Sequence, residues 1–149
     1  MLFAQINART LLIDADLRHG CHAALFRLEG RAGLSNLLEG RADLDDVVIK
    51  VTRNLSVLPA GPTPSDPHEL LCRPAFADML SDLEGRFDLM LVDTPASRGC
   101  ADAFTIASSA GAALIVARKN MTSAADLLRF ARTLQDSGAQ LLGSVLNDV

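Results

Sequence analysis

Five short apolar runs, each continuous and not alternating with polar residues, constrain the fold of this chain most strongly. They cover residues 10–13, 55–58, 89–92, 112–117 and 141–146. A strand covered by helices on both faces is apolar on both, which removes the period-2 alternation of a half-exposed strand. The intervening segments are long enough for crossovers of about a dozen residues or more. The pattern therefore predicts an α/β fold, with a predominantly parallel sheet and flanking helices.

Helical patterns are expected in the connections between these runs. The predicted helices cover residues 22–28, 34–39, 44–50, 74–83 and 123–135. The tetrapeptide Leu-Glu-Gly-Arg occurs at 28–31, 38–41 and 83–86, close to three of the predicted helix ends. Its glycines are predicted to adopt the left-handed conformation that commonly ends a helix.

The composition indicates one globular domain, predicted to span residues 1–149. Hydrophobic residues make up 49% of the chain and charged residues 21%, which excludes a disordered tail or a polar linker. Eighteen acidic and fourteen basic side chains give a net charge of -4, so a nucleic-acid partner is not expected. Because no apolar run reaches about 18 residues, direct membrane insertion is not expected either.

Two acids follow the first apolar run. Residues 11–18 read Leu-Leu-Ile-Asp-Ala-Asp-Leu-Arg, and Asp14 and Asp16 share a face if the extended conformation continues. Ligands of open α/β sheets bind outside the carboxyl ends of the strands. Two carboxylates at that place could hold hydrated Mg²⁺ or accept a proton from an attacking hydroxyl. The alternative is a solvated strand end, with one of the acids paired to Arg18.

The third apolar run also ends in an acid. Residues 89–96 read Leu-Met-Leu-Val-Asp-Thr-Pro-Ala, which places Asp93 at the tip of a buried strand before a Thr-Pro turn. An acid at this position is typical of Walker B motifs, where it faces the metal of a bound nucleotide. One such motif is a weak indication. Two in a small α/β chain are stronger evidence, because the fold can bring both strand tips to one crevice.

Together, the two motifs resemble the Walker A′ and Walker B sequences of the bacterial tyrosine kinases, a family of deviant Walker P-loop ATPases. Residues 33–40, 55–61, 69–71 and 143–147 are similar to successive blocks of the same family. The resemblance covers nearly the whole chain and is strongest to the autokinases that control exopolysaccharide chain length. It implies a P-loop NTPase-like fold, with ATP and Mg²⁺ as cofactors of the complete family protein.

The resemblance also implies roles for individual residues. Asp14 and Asp16 would be catalytic, with Asp14 near both Mg²⁺ and the hydroxyl of the acceptor tyrosine. Asp14 and Asp93 would be the metal-binding acids, and Asp93 would contact the metal through water.

Three further residues would contribute to cofactor binding. Arg18 would pair with an acid or with a neighbouring subunit. Thr94 would help to hold the water shell of the metal. Asn147 corresponds to the position that reads adenine in related ATPases, and the alternative for it is a plain turn asparagine.

The chain departs from the family pattern at two places. The family's Gly-rich phosphate loop, which ends in Gly-Lys-Ser or Gly-Lys-Thr, does not occur in these 149 residues, and only nine residues precede Thr10. The tyrosine cluster is not present either, since the chain contains no tyrosine. We therefore expect a partial kinase domain without its phosphate-loop strand, with weak or no ATP binding, negligible phosphate transfer and exposed apolar faces that favour self-association.

The implied function is that of a bacterial protein-tyrosine autokinase in exopolysaccharide biosynthesis. A membrane chain-length protein would be its activating partner, and homo-oligomers are possible in the family. The expected location is the cytoplasm, peripheral to the inner membrane through that partner. Two alternatives stay open at this point: a fragment of a partitioning or septum-site ATPase, and a non-catalytic interaction module.

Overall fold

The computed structural model describes residues 2–5, 7–96 and 101–148 of the chain. The polypeptide divides into two compact units, Met1–Asp102 and Ala103–Val149. Each unit has its own β-sheet, and the two acids that follow apolar runs belong to the first.

The first unit contains a four-stranded sheet in the order β2-β3-β1-β4. Strand β1 (Thr10–Asp14) lies between β3 (Leu55–Leu58) and β4 (Leu89–Asp93), and both pairings are parallel. Strand β2 (Ile49–Lys50) adds a short antiparallel edge beside β3. The expected α/β fold with a mostly parallel sheet is thus confirmed, and the parallel pairings bring the carboxyl ends of β1, β3 and β4 to one edge.

Among the described residues, six helices belong to this unit. They are α1 (Leu2–Gln5), α2 (His22–Phe26), α3 (Leu34–Leu38), α4 (Leu44–Val47), α5 (Pro67–Leu71) and α6 (Pro74–Glu84). The prediction of one helix over residues 44–50 was wrong, because the β-branched run from Val47 to Ile49 favours extended backbone and Val48 already leaves the helical region. Helix α5, which starts at Pro67 after the N-cap Asp66, was not predicted.

Helix α6 shows how the apolar pattern becomes core. Its buried residues are Phe76, Met79, Leu80 and Leu83, at the three- and four-residue spacing that defines one helix face. Leu11 and Ile13 of β1 are also fully buried. The left-handed glycines predicted after three helices are confirmed at Gly30 and Gly40, whereas Gly85 has a right-handed φ of -77°.

The start of α3 lies directly against the chain that leaves β3. The backbone N–H groups of Leu34 and Ser35 donate to the carbonyls of Pro59 and Ala60, at 2.8 and 2.9 Å. A Cβ on Gly33 would overlap the Pro59 carbonyl oxygen, so only glycine permits this approach. Two of the segments that resemble family blocks, 33–40 and 55–61, are therefore packed backbone against backbone.

The second unit contains a two-stranded parallel sheet. Helix α7 (Asp102–Ala110), whose first residue is the last residue of the first unit, leads to β5 (Ala112–Arg118), and α8 (Ala124–Asp136) connects β5 to β6 (Gln140–Asn147). The sequence analysis did not identify α7. Its small core contains Ala107, Ile115, Leu134 and Ala139.

The expectation that every apolar run would be covered on both faces was wrong for this unit. In β5, Ile115 and Ala117 are buried, but the side chains of Leu114 and Val116, which alternate with them, are 55% and 67% exposed. Strand residues alternate between the two faces of a sheet, so one face of β5 is core and the other is open.

Candidate functional site

The two acids predicted to share a site end neighbouring strands. Asp14 is the last residue of β1, Asp93 is the last residue of β4, and the two are register partners across the parallel pair. The backbone N–H of Ala15 also donates to the Asp93 carbonyl at 2.9 Å, which ties the two strand ends together. Both carboxylates therefore lie at the edge of the sheet where open α/β folds bind ligands.

Asp14 is fully buried, and the loop that follows it supplies its hydrogen bonds. Its Oδ1 accepts from the backbone N–H of Asp16 at 3.3 Å, and its Oδ2 accepts from the backbone N–H of His22 at 3.0 Å. Burial of an unpaired carboxylate is costly, and charge-assisted hydrogen bonds of this kind offset part of that cost. The loop from β1 to α2 thus folds around the Asp14 carboxylate.

His22, the first residue of α2, joins the two acids. Its Nδ1 lies 3.1 Å from Asp14 Oδ2 and 3.8 Å from Asp93 Oδ2. One ligand atom from each of these three residues lies within 4.8 Å of the other two. Two carboxylate oxygens and one imidazole nitrogen are a ligand set that suits a divalent cation.

The electrostatics of Asp93 fit the same interpretation. Its side chain is half exposed, and the burial of the other half raises the pKa of the carboxyl above its ordinary value. The nearby His22 lowers this pKa, and the negative charges of Asp14 and Asp16 raise it again. A carboxylate crowded by other carboxylates gains from a cation placed among them. The raised pKa of Asp93 therefore reflects burial first and then the negative charges of Asp14 and Asp16.

Asp16 has a different role in the geometry. Its Oδ1 accepts from the backbone N–H groups of Arg18 and His19, at 3.1 and 2.9 Å, which closes the turn after β1. Arg18 in turn donates from Nε to Oδ2 of the buried Asp102, at 3.1 Å. The sequence analysis considered an ion pair between Arg18 and Asp14 or Asp16, whereas the structure pairs Arg18 with the more distant Asp102. The pairing of Arg18 with an acid is as expected, although sequence spacing did not reveal which acid.

Comparison with known proteins gives relatives over nearly the entire chain, although no protein-family model matches it. The tyrosine-protein kinase Ptk of Acinetobacter johnsonii is 33% identical over 149 residues, which cover 99% of this chain. The putative tyrosine-protein kinase CapB of Staphylococcus aureus is 34% identical over 147 residues, which cover 97% of this chain and 64% of CapB. The kinase domain of Escherichia coli Etk has a TM-score of 0.94 at 33% identity, over 99% of this chain and 58% of that one.

The solved kinase domain of VpsO decides the family. It is 33% identical with a TM-score of 0.91, and the match covers 99% of this chain and 73% of that domain. The chain belongs to the bacterial tyrosine kinase family. The resemblance inferred from the two strand-end motifs is thereby confirmed.

This family member spans only part of its longer relatives. It covers about a fifth of the length of Ptk and of Etk, at 20% for each. The septum-site-determining protein MinD of Pyrococcus horikoshii, solved with Mg-ADP, has a TM-score of 0.79 at 23% identity over 97% of this chain and 60% of that one. At that identity the likeness shows the fold alone. No helix among the described residues combines the length and the apolar character needed to cross a membrane.

Thr94 and Asn147, the two remaining predicted site residues of this kinase-family chain, belong to different units. Thr94 directly follows Asp93, and its backbone N–H hydrogen-bonds to the Asp93 carboxylate and lowers the pKa of that acid. Asn147 is the last residue of β6 in the second unit and is the register partner of Arg118. The nucleotide contacts expected of both residues stay predictions.

Two residues at or beside the site were missed by the sequence analysis. His22 had no metal-ligand spacing to another histidine or cysteine, and its partners became visible only when β1 and β4 paired. The available signal was its position, a histidine at the start of the helix that follows the first acid motif. Asp102 carried no sequence signal, because its partners Arg18 and His68 are far away along the chain.

Proposed function

We propose that this chain is the metal-binding part of a protein-tyrosine autokinase of the exopolysaccharide type. Asp14 and Asp93 would hold the Mg²⁺ of ATP-Mg. The observation that carries the proposal is the pairing of the two strand-end acids, with oxygen atoms of both within 4.8 Å of each other and of His22 Nδ1. Family membership supplies the reaction, and the geometry supplies the residues.

The donor set fits magnesium. Mg²⁺ in phosphoryl-transfer sites is commonly held by one or two carboxylates together with water and substrate phosphates. Asp14 and Asp93 provide two such groups at one sheet edge. When bound there, the ion would neutralise charge that develops on the transferred phosphoryl group. His22 Nδ1, which lies 3.1 Å from Asp14 Oδ2, would either join the ligands in its unprotonated form or turn away as the ion enters.

Asp14 is also the stronger candidate for accepting the proton of a tyrosine hydroxyl. Its carboxylate keeps a fixed position because two backbone N–H groups of the following loop hold its oxygens. In Asp16, the second acid assigned to catalysis, Oδ1 accepts hydrogen bonds from the backbone of the turn that contains Arg18. We infer that Asp16 contributes mainly by shaping this loop and by adding negative charge beside Asp93.

The other cofactor contacts are inferred from family membership. Arg18, which pairs with Asp102, follows Asp14 and Asp16 along the chain and would face the phosphates or an adjoining subunit. Thr94 would order water around the metal, and Asn147 would contact adenine. Since the 149 residues contain no tyrosine, the acceptor would come from another polypeptide or segment.

The partners and location are proposals of the same kind. We infer a membrane chain-length protein as activator, a possible homo-oligomer, and a cytoplasmic position peripheral to the inner membrane through that activator. The septum-site ATPase alternative is not favoured, because its likeness extends to the fold alone.

Metal binding by the 149-residue chain tests the site directly. Electron paramagnetic resonance of Mn²⁺ would be measured with the wild-type chain, with Asp93→Asn and with the control Asp82→Asn, an exposed acid on α6. We expect Asp93→Asn to weaken Mn²⁺ binding by about tenfold or more, and Asp82→Asn to leave it unchanged. Equal affinities for all three proteins would contradict the site.

A separate assay tests the kinase assignment. The chain would replace the matching segment of the Etk kinase domain, and tyrosine phosphorylation by the chimera would be followed with ATP-Mg. Phosphorylation that Asp14→Asn abolishes would support the proposal, whereas a folded chimera that binds Mn²⁺ without transferring phosphate would contradict it. The 149-residue chain alone is expected to bind ATP-Mg more weakly than about 100 μM, or roughly -5.5 kcal/mol.

A further inference from the structure

A second group of reactive side chains lies in the first unit, apart from the two strand-end acids. It consists of Cys72, His68 and Asp102, which we call the thiol relay. Cys72 Sγ lies 3.6 Å from His68 Nε2, and His68 Nδ1 lies 2.8 Å from Asp102 Oδ1. Cys72 is exposed, whereas the Asp102 side chain is only 2% exposed. The three groups thus lead from solvent to a buried carboxylate.

The local fold explains the first contact of the relay. His68 lies in the first turn of α5, and Cys72 is the C-cap residue of the same helix. Residues four apart lie on one face of a helix, so the imidazole and the thiol are neighbours. The rest of α5 is anchored, because Pro67, Leu70 and Leu71 are buried. The thiol and the ring are therefore presented from a short but well-packed helix.

The buried carboxylate determines which nitrogen of His68 faces the thiol as an acceptor. An ionised carboxylate only accepts hydrogen bonds, so His68 Nδ1 must carry the proton that Asp102 Oδ1 receives. In the neutral ring, Nε2 then has the free electron pair, and it points to Cys72 Sγ. A nucleophile, a base within reach and a third group that orients the base are the arrangement of covalent active sites.

Cys21 provides a comparison within the same chain. It is also exposed, and its Sγ lies 3.9 Å from a ring nitrogen of His22. That nitrogen is Nδ1, which also lies 3.1 Å from Asp14 Oδ2. The same nitrogen thus faces both the Cys21 thiol and the Asp14 carboxylate. Cys72 differs from Cys21 in having a histidine whose two nitrogens serve two different partners.

We propose that Cys72 is a nucleophilic modification site that reacts with hydroperoxides, with His68 as its base and Asp102 as the group that positions His68. In the first step, the Cys72 thiol passes its proton to His68 Nε2, and Asp102 stabilises the resulting imidazolium. The thiolate then attacks one oxygen of the peroxide. A sulfur–oxygen bond forms, the oxygen–oxygen bond breaks, and the departing oxygen takes the proton from His68 and leaves as water or an alcohol. The sulfur is oxidised to a sulfenic acid while the peroxide is reduced.

The site also has a physical connection to the Asp-x-Asp-x-Arg loop. Asp102 Oδ1 faces His68, and its Oδ2 accepts from Arg18 Nε at 3.1 Å. The proposal does not depend on the kinase assignment, since it concerns the reactivity of a thiol and needs neither nucleotide nor metal.

The test compares the rates of the cysteines within one sample. The 149-residue chain would be treated with hydrogen peroxide and the sulfenic-acid trap dimedone, digested with trypsin, and analysed by mass spectrometry. Trypsin cleaves after Arg and Lys except before Pro, which places Cys21 in peptide 19–27 and Cys72 in peptide 54–86, so each thiol is followed separately. We expect Cys72 to be labelled about tenfold faster than Cys21 in the wild-type chain. Equal rates for the two thiols would overturn the proposal.

Three variants separate the chemical role of the relay from a structural one. In His68→Gln, and in Asp102→Asn, whose amide can reverse the ring tautomer, we expect the Cys72 rate to fall to that of Cys21. Loosening of the fold would instead raise the rates of both thiols, which keeps the readout specific. The control His19→Gln replaces an exposed histidine outside the relay and should change neither rate. Retention of the fast Cys72 rate in His68→Gln would refute the role of this base.

Discussion

Gly20 provides a sharp test of the loop that surrounds Asp14. It lies between Asp16 and His22, the two residues whose backbone N–H groups hold the buried carboxylate. A Cβ at position 20 would lie 2.7 Å from the Cβ of Ala60, 2.9 Å from Asp14 Oδ2 and 3.0 Å from the Asp16 carbonyl oxygen. These contacts are too short, so Gly20→Ala must displace the loop, the segment after β3, or both.

The cost of this displacement can be estimated from the contacts. Overpacking a closely packed site typically costs about 1 to 3 kcal/mol. Weakening a hydrogen bond to the charged Asp14 adds about 1 kcal/mol or more, for a total loss of roughly 2 to 4 kcal/mol in the free energy of unfolding. Urea denaturation followed by far-UV circular dichroism measures this loss, and the chain has no Trp or Tyr for a fluorescence readout. The midpoint should fall by about 1 M urea or more.

Gly85→Ala is the matched control. Gly85 caps α6 with a right-handed φ of -77°, and an added Cβ would meet no atom within 4 Å. We expect this variant to be neutral or more stable by up to about 1 kcal/mol, because alanine restricts the unfolded chain. If Gly20→Ala lost no more stability than Gly85→Ala, and kept the wild-type Mn²⁺ affinity, the close packing around Asp14 would be refuted.

Three further predictions concern charge and exposed apolar surface. The hydrogen bonds from Arg9 lower the pKa of Asp88 from 3.8 to about 2, so the stabilisation from this pair is present above pH 3.8 and is lost as the pH falls through about 2. The stability difference between the wild-type chain and Asp88→Asn in thermal melts should therefore vanish below pH 2, and a constant difference would contradict the ion pair. Burial raises the pKa of Asp93, which means that the ionised carboxyl is disfavoured in the folded state. At pH 7 without metal, Asp93→Asn should therefore have a higher melting temperature than the wild-type chain. In excess Mn²⁺ the wild-type chain should instead have the higher melting temperature. On the open face of β5, Leu114→Thr combined with Val116→Thr should lower self-association in sedimentation velocity while changing the unfolding free energy by less than about 1 kcal/mol, whereas a large loss of stability would show that this face is core.

The strands show how far the sequence could be interpreted. All five apolar runs became strands, because a continuous run bounded by acids or turns has few other structures available in a small α/β chain. Short helices and strands were harder to predict from the sequence. The segment over residues 44–50 divided into α4 and β2, because the pairing of Ile49 with Val57 outweighed a helical pattern of only two turns. The exposed positions Leu114 and Val116 could not be foreseen, because a continuous apolar run carries no information on which face becomes buried.

Some features of the candidate site could likewise be predicted from the sequence, and others could not. Asp14 and Asp93 were identifiable because an acid at the end of an apolar run marks a strand tip whatever the neighbouring strand is. Other features of the site depend on contacts between segments far apart in sequence. These are the register of Asp14 with Asp93, the position of His22 beside both acids, and the ion pair from Arg18 to Asp102.

The amino-acid sequence by itself determined the fold class, the two acidic strand ends and the family, because these depend on local apolar patterning and on short motifs. The tertiary structure decided which groups meet: Asp14 with Asp93 and His22, and Cys72 with His68 and Asp102. The physical reason is that side-chain chemistry depends on distances of a few ångströms across strands and loops, and only the pairing of β1 with β4 and the packing around Asp102 fix those distances.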